Sequence, residues 1–166
     1  MANNMLARAE VTMAGPDDGL ELQELMQDWG MGLAGEPEQH AIIKVEEKIL
    51  AGGKITWLGE TFFHLQLLAV RREARGQGLG GRLLLELIKK PWAYCHSSPA
   101  RGCASYRVTT IARGEAAGFY RRYGFRNCHF SDLATIYREQ CCHCPEREAC
   151  RPVPMIYIQH SCNDVR

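Results

Sequence analysis

Apolar positions recur along this chain in two periods, and the changes of period divide it into elements. Leu22, Leu25, Met26 and Trp29 repeat at helical spacing after Pro16-Asp17-Asp18, which offers helix-start chemistry, and Gly30 is placed to stop that helix. The glycine-rich stretch 30–37, closing with Glu36-Pro37, reads as a flexible loop rather than a domain linker. Residues 42–45, 48–57 and 61–70 read as three strands, separated by Glu46-Glu47 and Gly59-Glu60, with antiparallel hairpins the simplest connection. The first of them also fits a helix, since Ile42, Val45 and Ile49 share a 3.6-residue period. Residues 78–90 carry Leu83, Leu84, Leu87 and Ile88 on one helical face, and Pro91, which cannot continue the ladder, ends the helix. A strand at 106–111 precedes a short helix at 115–123, whose stripe is Ala116, Phe119, Tyr120 and Tyr123 and whose left-handed cap is Gly124. The chain returns as a strand from Phe125, and 155–160, after Pro152 and Pro154, reads as an edge or hairpin strand.

Composition narrows this mixed α and β order to one domain over residues 1–166. Apolar residues make up 46% and charged residues 23%, enough to bury a core and far from a disordered composition. A net charge of +1 gives no reason to expect a nucleic acid or an anionic membrane as the partner, and points to a small molecule or peptide. The first residues lack the apolar core of a secretion signal, and no stretch reaches the length of a membrane span, so a cytoplasmic address is expected. Eight cysteines without such a signal suggest reduced thiols or a metal site rather than a disulfide framework.

The most specific chemistry lies between Val70 and the helix that follows. An apolar strand runs through Arg71-Arg72-Glu73-Ala74-Arg75-Gly76-Gln77-Gly78-Leu79-Gly80-Gly81 into a helix N-terminus. Glycines allow backbone N–H groups to turn inward and approach a phosphate, and the helix dipole and Arg75 add positive potential. Gly76, Gly78 and Gly81 also satisfy the dinucleotide fingerprint, but its context is missing. Five residues, four of them charged, separate strand from glycine, and about 20 positions on, where an acidic residue belongs, stands Tyr94-Cys95-His96-Ser97-Ser98-Pro99.

The R-x-x-G-x-G pattern, after a strand ending in Val and before a Leu-rich helix, resembles the acetyl-CoA motif of the GNAT superfamily of acyl-CoA-dependent N-acetyltransferases. A second resemblance is the helix end Ala116-Gly118-Phe119-Tyr120-Arg121-Arg122-Tyr123-Gly124-Phe125. The resemblance spans 42–130 in order of elements. It implies a mixed α/β fold: a central, mostly antiparallel twisted sheet with one splayed parallel strand pair and flanking helices. It also implies that acetyl-CoA is cosubstrate. Its pantetheine arm would pair with backbone at Leu68, Ala69 and Val70, and its pyrophosphate would take the N–H groups of Gly76, Gln77, Gly78, Leu79, Gly80 and Gly81, assisted by Arg75. The acceptor would be a primary amine of a small molecule, peptide or protein, attacking directly in a ternary complex. The loop at 30–37 and the segment 92–103 would shape its pocket.

Phe62, His64, Gln66, Leu68 and Val70 alternate onto one face, and two polar residues there call for an explanation. Residues 64–70 are similar to the same strand of arylalkylamine N-acetyltransferases, in which a histidine at the position of His64 helps remove the amine proton. Those enzymes carry a second histidine where this chain has Gln66. An alkylammonium must lose a proton before it attacks, and an imidazole can accept it, so His64 is the base candidate, against the alternative of a satisfied cleft-wall histidine. Tyr120 occupies the family position of the phenol that protonates the departing thiolate, against the alternative of a core aromatic.

Cys141-Cys142-His143-Cys144 and Cys150 form the remaining constellation, in a Cys-rich insertion at 131–152. Cys141-x-x-Cys144 has zinc-knuckle spacing, and Cys150 with His143, Cys128, His160 or Cys162 could complete a structural zinc site; unliganded thiols are the alternative. Two other functions stay open on sequence, a non-catalytic acyl-CoA-binding regulatory module and a zinc-stabilised interaction domain, and a homodimer is compatible with the chain.

Overall fold

The computed structural model describes residues 2–96 and 105–161, without the side chains of Ala2 and Asn3. They form helix α1 (Ala2–Arg8), strand β1 (Val11–Met13), α2 (Gly19–Gln27), β2 (Ala41–Val45), β3 (Lys48–Gly59), β4 (Phe62–Val70), α3 (Leu79–Lys89), β5 (Tyr106–Ala112), α4 (Ala117–Arg122), β6 (Arg126–Asn127), α5 (Thr135–Cys142), α6 (Arg147–Cys150) and β7 (Val153–Gln159). The seven strands make one sheet in the order β1-β2-β3-β4-β5-β7-β6, in which β4 and β5 are the parallel pair. This is the expected mixed α/β architecture. No described helix is long and apolar enough to cross a membrane. The described residues fall into two compact units, one within Met1–Ile55 and Gln66–Ser97, the other within Thr56–Leu65 and Ser98–Arg166.

In the first unit, Leu22, Leu25 and Met26 are fully buried on α2 and pack with Ile42, Ile49 and Ala69, flanked by Trp29, Met31, Leu33 and Leu67. Pro16–Asp18 form a 3-10 turn ahead of α2, and the Asp18 carboxylate accepts from the Gly15 N–H and the Lys44 ammonium, both at 2.8 Å. Two glycines of β3 make the helix layers fit. A Cβ on Gly52 would meet Leu22 at 3.0 Å, and one on Gly53 would meet the Leu67 carbonyl at 2.9 Å, so backbone and helix approach where no side chain stands. The segment at 42–45 is a strand, not a helix, paired with β3 through a two-residue turn in which Glu46 and Glu47 both take positive φ, 48° and 64°. Helix α1, which the apolar pattern did not reveal, ends on Arg82 of α3, whose guanidinium donates to the Leu6 and Ala9 carbonyls.

In the second unit, β5 pairs with β7 over seven residues, from Tyr106↔Gln159 to Ala112↔Val153. Strand β7 is therefore interior, not an edge; the edge belongs to the two-residue β6, which pairs with Met155 and Ile156. Pro154 is tolerated because its carbonyl accepts from the Cys128 N–H on the β6 side. A residue's N–H and C=O point the same way in a strand, so the missing donor falls where β6 pairing stops, and the β5 ladder is intact. Helix α4 buries Ala117 and Tyr120, while Ala116, Phe119 and Tyr123 are only partly covered, so the expected stripe is rotated by one residue at its start. Gly124 does take a positive φ, 93°.

Candidate functional site

The first unit supplies the candidate anion cradle. After β4 a 3-10 turn at Arg72–Ala74 buries Ala74, Arg75 is extended, and Gly76 and Gly78 both lie at left-handed φ, 76° and 78°. Gly78 is the N-cap of α3, and the first intrahelical bond from this end is Arg82 N–H to Gly78 O, 3.0 Å. The N–H groups of Leu79, Gly80 and Gly81 therefore stand at the helix start without intrahelical acceptors. A Cβ on Gly76 or Gly78 would meet nothing within 4 Å, so these glycines serve the backbone conformation and leave open space above it. Leu79 and Gly81 are buried beneath, anchoring the helix, while Arg75, Gly76 and Gln77 are exposed. No acidic residue lies in the first turn of α3, so no carboxylate of that turn opposes an anion there. At the end of β4, one lone pair of the Val70 carbonyl is already taken by the Trp29 indole N–H, 2.9 Å.

The second unit holds both candidate reacting groups. The parallel register of β4 and β5 runs from Phe62↔Arg107 to Leu65↔Thr110 and ends there. His64 is 2% exposed, with Nδ1 2.9 Å from the Thr109 hydroxyl and its ring stacked on Tyr137 at 3.8 Å between centroids, 13° from parallel. In the tautomer where the Thr109 hydroxyl donates to the Phe63 carbonyl, 3.5 Å away, Nδ1–H donates to Thr109 and Nε2 carries the lone pair. Burial pushes the His64 pKa down to about 3, so the imidazole is neutral across the physiological range. Tyr120 is 8% exposed and hydrogen-bonded to the Thr110 side chain, with its pKa pushed up to about 12 by burial. The Thr110 hydroxyl spends its single proton on the Leu65 carbonyl, 2.9 Å, so the Tyr120 phenol is the donor of that pair.

Thr109, Thr110 and Tyr137 were not singled out from sequence. The adjacent threonines in an otherwise apolar strand were the available signal; Tyr137 had none, since the cysteines of its segment drew the reading elsewhere. Those cysteines do not form the expected zinc site. Cys141 and Cys142 continue helix α5 instead of making a knuckle turn, and the described cysteines, Cys128, Cys141, Cys142, Cys144 and Cys150 among them, are free thiols. Among the described residues no three His, Cys, Asp or Glu side chains are grouped to hold a metal ion. Burial raises the Cys128 and Cys141 thiols, favouring the protonated form over a thiolate ligand. Cys162, and residues 97–103 of the expected acceptor segment, lie outside the described residues.

Comparison with protein families matches residues 36–127 to the acetyltransferase (GNAT) domain. Curated protein sequences give no match. Among solved structures, the chain superposes on N-acetylglutamate synthase from Neisseria gonorrhoeae, complexed with coenzyme A and N-acetyl-glutamate, with a TM-score of 0.70 at 15% identity, covering 92% of this chain. The chain spans 35% of that synthase's length. It also superposes on the ribosomal-protein-S18-alanine N-acetyltransferase of Escherichia coli, TM-score 0.63 at 15% identity, over 95% of this chain and 97% of the other. A third likeness is Arabidopsis thaliana Naa50 in complex with a bisubstrate analogue joining coenzyme A to a peptide, TM-score 0.58 at 11% identity, over 89% and 96%. At these identities the superpositions establish a shared fold.

Proposed function

Because the chain belongs to the GNAT acetyltransferase family, we propose that it transfers an acetyl group from acetyl-CoA to a primary amine of a small molecule or a peptide, by direct attack in a ternary complex. The observation that carries this reading is the left-handed glycine pair ahead of α3, with its outward N–H groups and open space above Gly76 and Gly78. The pyrophosphate is assigned to the N–H groups of Gly76, Gln77, Gly78, Leu79, Gly80 and Gly81 with Arg75 beside them, and the pantetheine arm to the backbone of Leu68, Ala69 and the Val70 N–H.

Attack of a neutral amine nitrogen on the thioester carbonyl forms the C–N bond, and collapse of the tetrahedral intermediate breaks the C–S bond and releases CoA thiolate. Tyr120, protonated across the neutral range and donating to Thr110 at rest, is the group we assign to protonate that sulfur. His64 is assigned to the amine side. At a pKa of about 3 its imidazole cannot store a proton, so Nε2 takes the amine proton only in transit and passes it to water. Tyr137 and Thr109 fix the ring that does so. A thermal-shift measurement tests the donor assignment. Acetyl-CoA should raise the melting temperature and NAD should not, since a ligand at 100 times its Kd stabilises by about 2.7 kcal/mol. Stabilisation by NAD with indifference to acetyl-CoA would overturn it.

A further inference from the structure

Resting on the donor reading above, we infer that Trp29 is a positioning residue for the phosphates of coenzyme A: its indole holds the Arg72 and Arg75 guanidinium groups at the mouth of the glycine loop. Three arginines precede the glycines, and they are used differently. Arg71 is spent inside the unit, donating Nε to the Ile49 carbonyl at 2.6 Å and a terminal nitrogen to Glu21 at 2.8 Å. Arg72 lies over the Trp29 ring, 4.2 Å from its centroid, and gives one terminal N–H group to the Asp28 carbonyl at 2.7 Å. Arg75 lies 5.0 Å from the same centroid and is exposed. Its backbone N–H is taken by the Arg72 carbonyl at 3.3 Å, while among the described residues its guanidinium has no hydrogen bond or ion pair.

A guanidinium resting on an aromatic face is held through its π surface, and its in-plane N–H edges stay free for another partner. The platform itself is fixed. Its N–H donates to the Val70 carbonyl at 2.9 Å, where β4 enters the loop, and the ring packs on the α2 core. The nearest acidic side chain of the segment, Glu73, is drawn off by Lys48 at 2.8 Å, so it does not neutralise the pair. Two cations held on one ring, beside the glycine loop, fit a ligand that carries several phosphate charges. Holding them in place ahead of binding reduces the ordering cost of binding it.

The test is calorimetric titration with coenzyme A at low and high salt on the wild type, Trp29→Phe, Trp29→Leu and Arg72→Gln. Trp29→Leu should weaken binding roughly 10-fold or more and flatten the salt dependence, because the lost part is electrostatic. Trp29→Phe keeps an aromatic face and should stay within roughly 3-fold of wild type. Arg72→Gln leaves the core untouched and should lose affinity with the same flattened salt dependence, which covers the case of a poorly folded Trp29→Leu. Weaker binding with the wild-type salt slope would make Trp29 merely structural and overturn the inference, as would wild-type affinity in both Trp29→Leu and Arg72→Gln. Failure of the wild type itself to bind coenzyme A would instead remove the donor assignment beneath it.

Discussion

The glycine loop of the first unit and the polar set of the second handle hydrogen bonding in opposite ways. At the start of α3 the backbone donors of Leu79, Gly80 and Gly81 have no intrahelical acceptors, and the left-handed Gly76 and Gly78 before them face open space. Around His64 and Tyr120 it pairs nearly everything: His64 with Thr109, Tyr120 with Thr110, Thr110 with the Leu65 carbonyl. Unsatisfied donors are tolerated at a surface because water meets them until a ligand does, whereas buried polar groups must be paired by the chain itself. The first region leaves donors for a partner, whereas the second satisfies its polar groups within the chain.

The contrast is broken most severely at Gly78. Gly78→Val forces a β-branched residue into a φ of 78°, which costs roughly 1–2 kcal/mol and turns the cradle N–H groups away. No protein atom lies within 4 Å of the new Cβ, so the fold should survive while acetyl-CoA no longer raises the melting temperature. A full ligand-induced shift in this variant would show that the loop is not the phosphate site. A smaller effect is expected in the paired region. Tyr120→Phe keeps the packed ring and removes the proton, and kcat should fall by roughly 10²-fold with little change in stability. Undiminished turnover would leave protonation of the thiolate to solvent.

How these regions looked in the sequence follows the same division. Glycines and an arginine between a strand and a helix are a local pattern, so the left-handed glycine turn into α3 was legible residue by residue, as were the α3 face and the Gly124 cap. Pairing among buried groups is a long-range property. Thr109 meets His64 across 45 positions, and Tyr137 reaches it from α5, a helix whose sequence suggested metal chemistry. Strand order was equally hidden: Pro152 and Pro154 imply an edge by local rules, and only the two-residue β6 explains how β7 can be interior. The Gly52-Gly53 pair was unremarked because its reason is the approach of Leu22 and the Leu67 carbonyl, neither visible from β3 alone.

The paired region also predicts a pH slope. The folded His64 titrates near 3, below its ordinary value of 6.5, so the unfolded state binds a proton that the folded state refuses between those values. Stability contributed by the neutral ring is therefore complete above 6.5 and declines as pH falls toward 3, by about 1 kcal/mol per pH unit. Urea unfolding of wild type and His64→Gln across that range should show the wild type losing more stability than the variant as pH drops. Parallel curves would mean that the His64 pKa is not depressed.

The central claim, acetyl transfer from acetyl-CoA to an amine, is tested most directly by incubating the protein with acetyl-CoA and a panel of amines and peptides. Free thiol and acetylated product are then followed together. The account predicts acceptor-dependent thiol release with one acetylated amine per CoA, reduced together in Tyr120→Phe. Saturable CoA binding with no acetylated product from any amine or peptide would contradict it and leave a binding module in its place.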